Sequence, residues 1–221
     1  MKGKLYVVSG PSGAGKGTVC LELLKRRPDV EFSVSCATRN ARPGEIDGVH
    51  YYFISESEFL DMRDSDGMLE CAQINGGYWY GTPKKAALDK MEMGKSVLLE
   101  IENNGAQQVI MRYPETVSVF ILPPCRTALI KRLVDRGTED LPRLTQRIRK
   151  VQSELVAARD YSYLILNDTV DEATKRLERV FDETYETTDQ AKETLDKLTD
   201  EFSDMDDALS ELSDYYNKTR I

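Results

Sequence analysis

Nine residues near the N-terminus, GPSGAGKGT, have the types and spacing that hold a phosphate group. Glycines let successive backbone N–H groups turn toward one anion, and a lysine adds positive charge beside a helix N-terminus. The loop lies between KLYVVSG, typical of a buried strand, and TVCLELLKRR, typical of an amphipathic helix. The alternative is a glycine-rich turn without a ligand. We predict a nucleotide-phosphate site formed by Gly10, Pro11, Ser12, Gly13, Ala14, Gly15, Lys16, Gly17 and Thr18.

Gly17 stands where such loops usually carry a serine or threonine whose hydroxyl binds Mg²⁺. Direct coordination of the metal by the protein is then sparse, unless the hydroxyl of Thr18 takes over. Mg²⁺ keeps several of its waters in proteins, so phosphates and water can hold it. The variation is therefore compatible with an enzyme in which a second phosphorylated substrate helps to hold the metal.

A second candidate phosphate site lies in SVSCATRNARPGEIDGVHYYF, residues 33–53. Arg39 and Arg42 are three residues apart in a turn-rich segment, with Ser35 and Tyr51 nearby. Two guanidinium groups and two hydroxyls suit a phosphate monoester. The alternative interpretation is a solvated surface loop with ordinary salt bridges.

The composition excludes several classes of protein. The 221 residues include four scattered cysteines without a CxxC pair and one histidine, so we expect neither a zinc cluster nor a disulfide framework. No signal peptide or membrane span is expected, and we predict a cytoplasmic protein. Residues 182–221 hold 13 acidic and 4 basic side chains, whereas the remainder is close to neutral. Because a nucleic-acid groove needs a basic field, we expect no nucleic-acid partner.

The elements that must position these residues are predicted from local patterns. Short apolar runs of the parallel-sheet kind occur at 4–10, 96–101, 117–124 and 163–168. Residues 32–83 predict a small β-rich lobe containing a capped helix, SESEFLDMRD, and a glycine- and aromatic-rich loop, GGYWYGTP. Residues 126–159 are rich in arginine and predict helices interrupted at RGTEDLP. Together these patterns favour an α/β fold.

Several motifs resemble guanylate kinase in their order and spacing. They are GPSGAGKGT, SVSCATRNARPGEIDGVHYYF, LECAQINGGYWYGTP, VLLEI with a following GA, ILPP, DRGTED and LILND. The resemblance covers residues 4 to about 181. It implies a five-stranded parallel sheet with helices on both faces, a GMP-binding lobe and a helical lid. The implied bounds are 1–32, 84–125 and 158–181 for the core, 33–83 for the lobe and 126–157 for the lid. Residues 182–221 depart from the family, and their own pattern predicts an added C-terminal helix, an acidic helical tail.

The resemblance implies phosphoryl transfer from ATP to GMP, and to dGMP, with Mg²⁺. By position, the GMP phosphate would be held by Ser35, Arg39, Arg42, Tyr51 and Tyr80, and guanine would be read by Glu70 and Thr82. A carboxylate accepts from both adjacent donors of guanine, N1–H and N2–H₂, whereas adenine presents an acceptor at N1. A site built on such hydrogen bonds rejects the mismatched base. Without the surrounding block, Glu70 would read as an exposed charge at a strand end.

Other roles follow from the same resemblance. The residues that match the family's lid arginines and complete a catalytic set with Lys16 and Arg42 are Arg132, Arg136 and Arg147. Asn167 and Asp168 match the segment near the adenine of ATP, and Asp168 could equally cap a helix. Glu100 could orient waters of Mg²⁺.

The sequence departs from the family pattern around the base pocket. Glu102 stands where aspartate is usual near guanine, and Cys71 replaces a common tryptophan. Trp79 could compensate for that lost volume, since GGYWYG has one residue more than the family's usual GNYYG. These changes keep open a kinase with another phosphorylated acceptor. A catalytically inactive phosphopeptide-binding module of related fold is a further alternative.

The tail from Leu177 onward carries apolar or small residues at heptad spacing. Thr187 with Gln190 could form a capping box that starts a second helix. Three interpretations remain: a helix packed on the body, a homodimeric coiled coil, or a disordered acidic segment. The protein is therefore predicted to be a monomer or a homodimer.

Overall fold

A computed structural model describes residues 3–42, 44–73, 77–137 and 139–219. Five of its strands are β1 (Leu5–Ser9), β2 (Val30–Phe32), β7 (Ser96–Glu100), β8 (Val117–Leu122) and β9 (Tyr163–Leu166). They form one parallel sheet in the order β2-β7-β1-β8-β9. The predicted α/β fold class is therefore confirmed.

Apolar runs form these strands because both faces of the sheet are covered. Val7 in β1, Leu98 in β7 and Phe120 in β8 have no exposed side-chain surface. β1 pairs with β7 from Leu5↔Val97 to Val8↔Glu100. A sheet buried on both faces selects continuous apolar strands rather than alternating ones.

The chain divides into two compact units, of which the first comprises Met1–Val8 and Arg27–Ser118. Besides β2 and β7 it contains a small sheet of β3 (Cys36–Ala37), β4 (Tyr52–Phe53), β5 (Met68–Gln73) and β6 (Trp79–Pro83), in the order β4-β3-β6-β5. Its helices are α2 (Glu56–Asp64), α3 (Lys84–Glu92) and α4 (Asn103–Arg112). Helix α2 begins at a capping box between Ser55 and Glu58, as SESEFLDMRD predicted.

The segment GGYWYGTP is a strand from Trp79, not the predicted loop. β6 pairs antiparallel with β5, with Cys71 opposite Gly81. A Cβ at Gly81 would lie 2.9 Å from the ring of Phe59, so the glycine allows the ring to approach the strand. Trp79 stacks on Phe59, and both Trp79 and Cys71 pack against the cluster that contains this ring. The compensation of Cys71 by Trp79 stays a prediction. The segment GGYWYG, predicted to have one residue more than the family pattern, begins at position 76, and that position lies outside the described residues.

The second unit comprises Ser9–Arg26 and Val119–Ile221. Its helices are α1 (Lys16–Arg26), α5 (Arg126–Val134), α6 (Leu141–Ala157), α7 (Val170–Phe181), α8 (Asp189–Glu201) and α9 (Met205–Lys218). Helices α1 and α7 pack together, and Arg26 of α1 donates to Asp171 of α7 at 2.9 Å. Across the described part of the chain, no helix is both long enough and apolar enough to cross a membrane.

The acidic tail contains two helices rather than one continuous helix. After α7 the chain leaves helical geometry at Glu183, which has a φ of 57°. Tyr185 is buried there, and its hydroxyl donates to the carbonyl of Leu164 in β9 at 2.8 Å. Position 221, where the predicted tail ends, lies outside the described residues.

The capping box predicted at the start of α8 names the wrong residue as the N-cap. Thr188 is the N-cap, and its hydroxyl accepts from the backbone N–H of Ala191. Thr187 instead accepts from the backbone N–H of Leu164 at 3.0 Å. The hydroxyl of Thr187, which the sequence pattern assigned to a cap, therefore binds the segment between α7 and α8 to β9.

Helices α8 and α9 pack on other elements of their own unit. Helix α8 contacts β9 and α6, and α9 contacts α5 and α6. The side chains of Leu198, Phe202 and Leu212 are almost fully buried. The heptad pattern of the tail therefore reflects burial of its apolar residues within the second unit. This agrees with the interpretation of a helix packed on the body.

Replacing a buried residue of α9 tests this packing. Leu212→Ala removes apolar surface and leaves a cavity, so we expect the free energy of unfolding to fall by about 2–5 kcal/mol. Urea denaturation of the full chain measures the change. The exposed neighbour Ser210 provides the control, since Ser210→Ala should change stability by no more than about 0.5 kcal/mol. Equal stability of Leu212→Ala and the control would show that α9 is not packed as described.

Candidate functional site

The loop Gly10–Thr18 connects β1 to α1 in the second unit. The backbone N–H of Ala14 donates to the carbonyl of Pro11 at 3.0 Å, and the helix begins at Lys16. Gly15 has a φ of +90°, and a Cβ there would lie 2.4 Å from Nδ2 of Asn167. Glycine is therefore required at position 15 by both backbone conformation and space.

Lys16 reaches back over the loop. Its Nζ donates to the carbonyls of Gly10 at 2.5 Å and Pro11 at 3.2 Å. The ammonium charge therefore lies at the loop and at the N-terminal end of α1, where the helix dipole also favours an anion. Gly17 and Thr18 form the first turn, and Thr18 is exposed.

Arg132 and Asn167 both form hydrogen bonds with the backbone of the loop. Arg132 donates to the carbonyls of Ala14 at 3.2 Å and Asn167 at 3.0 Å. The side chain of Asn167 donates to the same carbonyl of Ala14 at 2.6 Å. Burial lowers the pKa of Arg132. Asn167 is 1% exposed, and its Oδ1 has no hydrogen-bond partner among the described residues, so a buried acceptor remains beside the loop.

The other two arginines that the sequence predicted for a lid differ in their surroundings. Arg147 of α6 donates to the hydroxyl of Ser12 at 2.9 Å and to Glu139 at 2.6 Å, so it contacts the loop directly. Arg136 follows the end of α5 and is exposed. It makes no hydrogen bond or ion pair with any residue that the structure describes. The structure thus brings Lys16, Arg132 and Arg147 together at the loop, but not Arg136.

One interpretation of the sequence made Asp168 the N-cap of α7, and this interpretation is wrong. Thr169 is the N-cap, and its hydroxyl accepts from the N–H of Glu172. Asp168 pairs with Arg176, whose nearest nitrogen is 2.7 Å away. This hydrogen-bonded ion pair lowers the pKa of Asp168.

In the first unit, Glu70 and Thr82 face each other across the paired strands β5 and β6. The hydroxyl of Thr82 donates to Oε1 of Glu70 at 2.7 Å, and the hydroxyl of Ser35 is 3.4 Å from that of Thr82. A Cβ at Gly105 of α4 would lie 2.4 Å from Oε2 of Glu70. The carboxylate is therefore held between a hydroxyl and a residue without a side chain.

Burial raises the pKa of Glu70 to about 7, because the ionised carboxylate loses its hydration. The hydrogen bonds from Thr82 act in the opposite direction, and the nearby charge of Glu102 raises the pKa further. Glu102 itself is exposed and precedes α4 as its N-cap residue, without a side-chain capping bond. Glu100, the last residue of β7, is partly buried.

Arg39 lies in a polar and aromatic cage in the same unit. Its Nε donates to the Tyr80 hydroxyl at 2.8 Å, and its terminal nitrogens donate to Glu45 at 2.5 and 2.8 Å and to the carbonyl of Asn40 at 3.0 Å. Four of its five N–H donors are therefore used. The ring centroid of Tyr51 is 5.2 Å from the guanidinium carbon. Pairing with Arg39 lowers the pKa of Glu45 to about 2.

Arg42 differs from Arg39 in having its side chain available. Its backbone N–H donates to Glu45 at 2.8 Å, whereas its exposed side chain forms no ion pair with any described residue. Arg39 thus forms a salt bridge, as the alternative interpretation had it, but it is only 8% exposed and so is not part of a solvated surface loop.

Sequence reasoning missed four residues that shape the two sites: Glu45, Gly105, Gln108 and Glu139. The two glutamates lie inside the motifs RPGE and DRGTED, where each follows an arginine by three residues. This closeness of opposite charges was the sequence signal that could have identified them. Gln108 accepts from the backbone N–H of Cys71 at 3.2 Å and donates to its carbonyl at 2.9 Å. Because its partner is backbone, no residue pattern could reveal that contact.

Comparison with known proteins places these features in one family. A sequence model of the family described as guanylate kinase matches residues 2–184. Guanylate kinase of Carboxydothermus hydrogenoformans is 49% identical over 179 residues, which are 81% of this chain and 87% of that protein. The same enzyme of Clostridioides difficile is 46% identical over 179 residues, with coverage of 81% and 87%.

A solved structure is also similar. The crystal structure of guanylate kinase from Anaplasma phagocytophilum superposes with a TM-score of 0.68 at 31% identity, covering 85% of this chain and 88% of that one. The family match includes the phosphate loop, the Glu70–Thr82 pair and the arginines of α5 and α6, and ends before α8. On this evidence the chain belongs to the guanylate kinase family.

Proposed function

We propose that the protein phosphorylates GMP, and dGMP, with ATP by direct in-line phosphoryl transfer. The observation that best supports guanine as the base is the buried carboxylate of Glu70, which accepts a hydrogen bond from Thr82. The same chain has an intact phosphate loop. A buried carboxylate without a cationic partner is costly unless a ligand supplies donors. Guanine supplies two adjacent N–H donors.

The donor half of the site is the loop with its supporting side chains. We assign Lys16 to the ATP phosphates, because its charge adds to the backbone N–H groups and the dipole of α1. Arg132 and Asn167 fix the loop at Ala14, and Arg147 reaches it at Ser12. Arg136 is assigned to the phosphates only through its position in the family pattern. Positive charge around the moving phosphoryl group lowers the barrier to transfer.

The metal fits this chain as a companion of the nucleotide. The described residues contain no cluster of three His, Cys, Asp or Glu side chains that could hold a metal. Mg²⁺ bound by phosphates and water needs no such cluster, and Thr18 and Glu100 are the candidates to contact its waters. When bound, Mg²⁺ neutralises phosphate charge during transfer.

The acceptor half reads both the base and the phosphate. Glu70, Thr82 and Glu102 are proposed to select guanine. Ser35, whose hydroxyl is 3.4 Å from that of Thr82, is proposed to bind the phosphate. The guanidinium of Arg42, which forms no ion pair with the residues that the structure describes, is proposed to bind the phosphate. Arg39 adds charge and one remaining donor beside Tyr51 and Tyr80. Since none of these residues is assigned to the ribose 2′-hydroxyl, dGMP should also be accepted.

We propose further that residues 33–83 act as the GMP lobe and 126–157 as the lid of a 1–181 catalytic domain, which the 182–221 tail extends. Burial of the tail's apolar residues within the second unit favours a monomer over a coiled-coil dimer. The four free cysteines fit a reducing cytoplasm. Small-molecule nucleotides are the proposed partners.

Turnover measured with a panel of acceptors tests the proposed function. With ATP and Mg²⁺, ADP should form rapidly with GMP and dGMP and slowly with AMP, CMP and UMP. Lys16→Ala should lower kcat by roughly 10²-fold or more, because charge stabilisation at the transferred phosphoryl group is lost. Lys25→Ala, on the exposed side of the same helix, should behave as wild type. Rapid turnover of another acceptor, or near-normal activity of Lys16→Ala, would overturn the assignment.

The base-reading role of Glu70 is tested by Glu70→Gln. This change keeps the side-chain volume but replaces an acceptor oxygen with an amide donor that opposes guanine. We expect kcat/KM for GMP to fall by on the order of 10²-fold, as charge-assisted hydrogen bonds are lost, with KM for ATP unchanged. Glu92→Gln, an exposed matched substitution, controls for general effects. Unchanged GMP kinetics would remove Glu70 from the guanine site.

The pKa of Glu70 also predicts a pH dependence. Only the ionised carboxylate accepts both guanine donors, so a pKa of about 7 means that the competent form is lost as pH falls through 7. KM for GMP should rise below pH 7 by about tenfold per pH unit once well below the pKa. Glu102→Gln removes a charge that raises this pKa, so its inflection should move to lower pH. A KM that stays constant from pH 8 to pH 6 would contradict the prediction.

A further inference from the structure

The first residue of α5 is bound by three groups of the C-terminal helices. Arg126 donates through Nε to Glu211 at 2.7 Å and through one terminal nitrogen to Asp207 at 2.6 Å. Its other terminal nitrogen donates to the carbonyl of Glu201 at 2.9 Å. The arginine side chain is only 17% exposed, so these charge-assisted bonds are partly shielded from water.

Glu211 also serves the N-terminus of α5. The N-cap residue Cys125 makes no side-chain capping bond, whereas the hydroxyl of Thr127 donates to Glu211 at 2.6 Å. A carboxylate beside the first turn of a helix is favoured by the helix dipole. The tail thus supplies the negative charge that α5 lacks in its own sequence.

A second contact joins the opposite end of α5 to α9. The hydroxyl of Tyr215 donates to Asp135, which follows Val134 at the end of the helix, at 3.1 Å. Asp207, Glu211 and Tyr215 are spaced by four residues, so they lie on one face of α9. Helix α9 therefore contacts α5 at both of its ends.

Helix α5 in turn supports the phosphate loop. A Cβ at Gly13 would lie 2.9 Å from Cγ of Leu133 and 3.2 Å from the carbonyl oxygen of Leu129, so the loop packs directly on the helix. One turn of the same helix carries Arg132, which holds the carbonyls of Ala14 and Asn167. A displacement of α5 would therefore move both the packing surface and the hydrogen-bond donors of the loop.

We propose that Arg126 is a positioning residue, which Glu211 and Asp207 of α9 hold so that α5 keeps the phosphate loop in its ATP-binding geometry. The family match ends at residue 184, so both carboxylates belong to a segment beyond it. The proposal rests on the assignment of the loop to ATP. It gives the C-terminal helices a role in nucleotide affinity rather than in stability alone.

Substitution of Glu211 in the full chain tests the proposal. Glu211→Ala should raise KM for ATP by roughly three- to tenfold, in the range of coupling through packed elements, and leave KM for GMP within about twofold. Glu211→Gln keeps an acceptor for Thr127 and Arg126 and should recover most of the loss. Glu193→Ala removes an equal charge from an exposed position of α8 and should match wild type. Calorimetric titration with ATP alone should show the same order of affinities.

The possible results separate this proposal from the proposed function. An unchanged ATP affinity in Glu211→Ala, or an equal rise in both KM values with a lowered melting temperature, would overturn the positioning role. Calorimetry without an acceptor reads ATP binding directly, so it tests the role of Arg126 even if GMP proves not to be the acceptor. If wild type binds ATP but does not phosphorylate GMP, only the proposed acceptor fails.

Discussion

The conformation of the phosphate loop depends on one backbone carbonyl, that of Ala14, which two side chains hold. Arg132 and Asn167 both donate to it, and Arg132 also binds the carbonyl of Asn167. The three contacts join the loop, α5 and the end of β9 into one hydrogen-bonded group. Because Arg132 also binds the carbonyl of Asn167, loss of this arginine would remove that carbonyl's donor as well as one of the two donors to Ala14. Gly15, the residue after this anchor, has the positive φ that only glycine adopts without strain.

Sequence patterns predicted the elements with strong local signals. The phosphate loop, the apolar strands and the capping box of α2 each depend on residues close together in the chain, and the structure contains them. The strand Trp79–Pro83 was missed because glycines and aromatic residues resemble a loop until the partner strand is known. The start of α8 was displaced by one residue, since both Thr187 and Thr188 offer a hydroxyl and only the position of β9 decides between them.

The candidate site was predictable in its residue types but not in its internal bonding. Family resemblance named Arg39 and Glu70, yet nothing local indicated that Gly105 would lie against Glu70. That contact joins residues through tertiary packing, which residue spacing does not encode. The same holds for Arg126, whose partners are about 80 positions away along the chain. Glu45 is only six residues from Arg39, but the sequence offered two arginines near it and did not say which one it would bind. The charges of these residues could be read from the sequence, but their pairing and the burial of Glu70 and Arg39 could not.

The carboxylate of Glu45 has a consequence for how firmly a substrate is retained. With a pKa of about 2, it stays negatively charged at any physiological pH and remains paired with Arg39. A phosphate bound at Arg39, as proposed, would therefore compete with a permanent internal counter-anion. The net gain from such binding would be the difference between two ion pairs. Under the proposed function, Glu45 would thus lower the affinity of this group for a phosphate while keeping Arg39 in place.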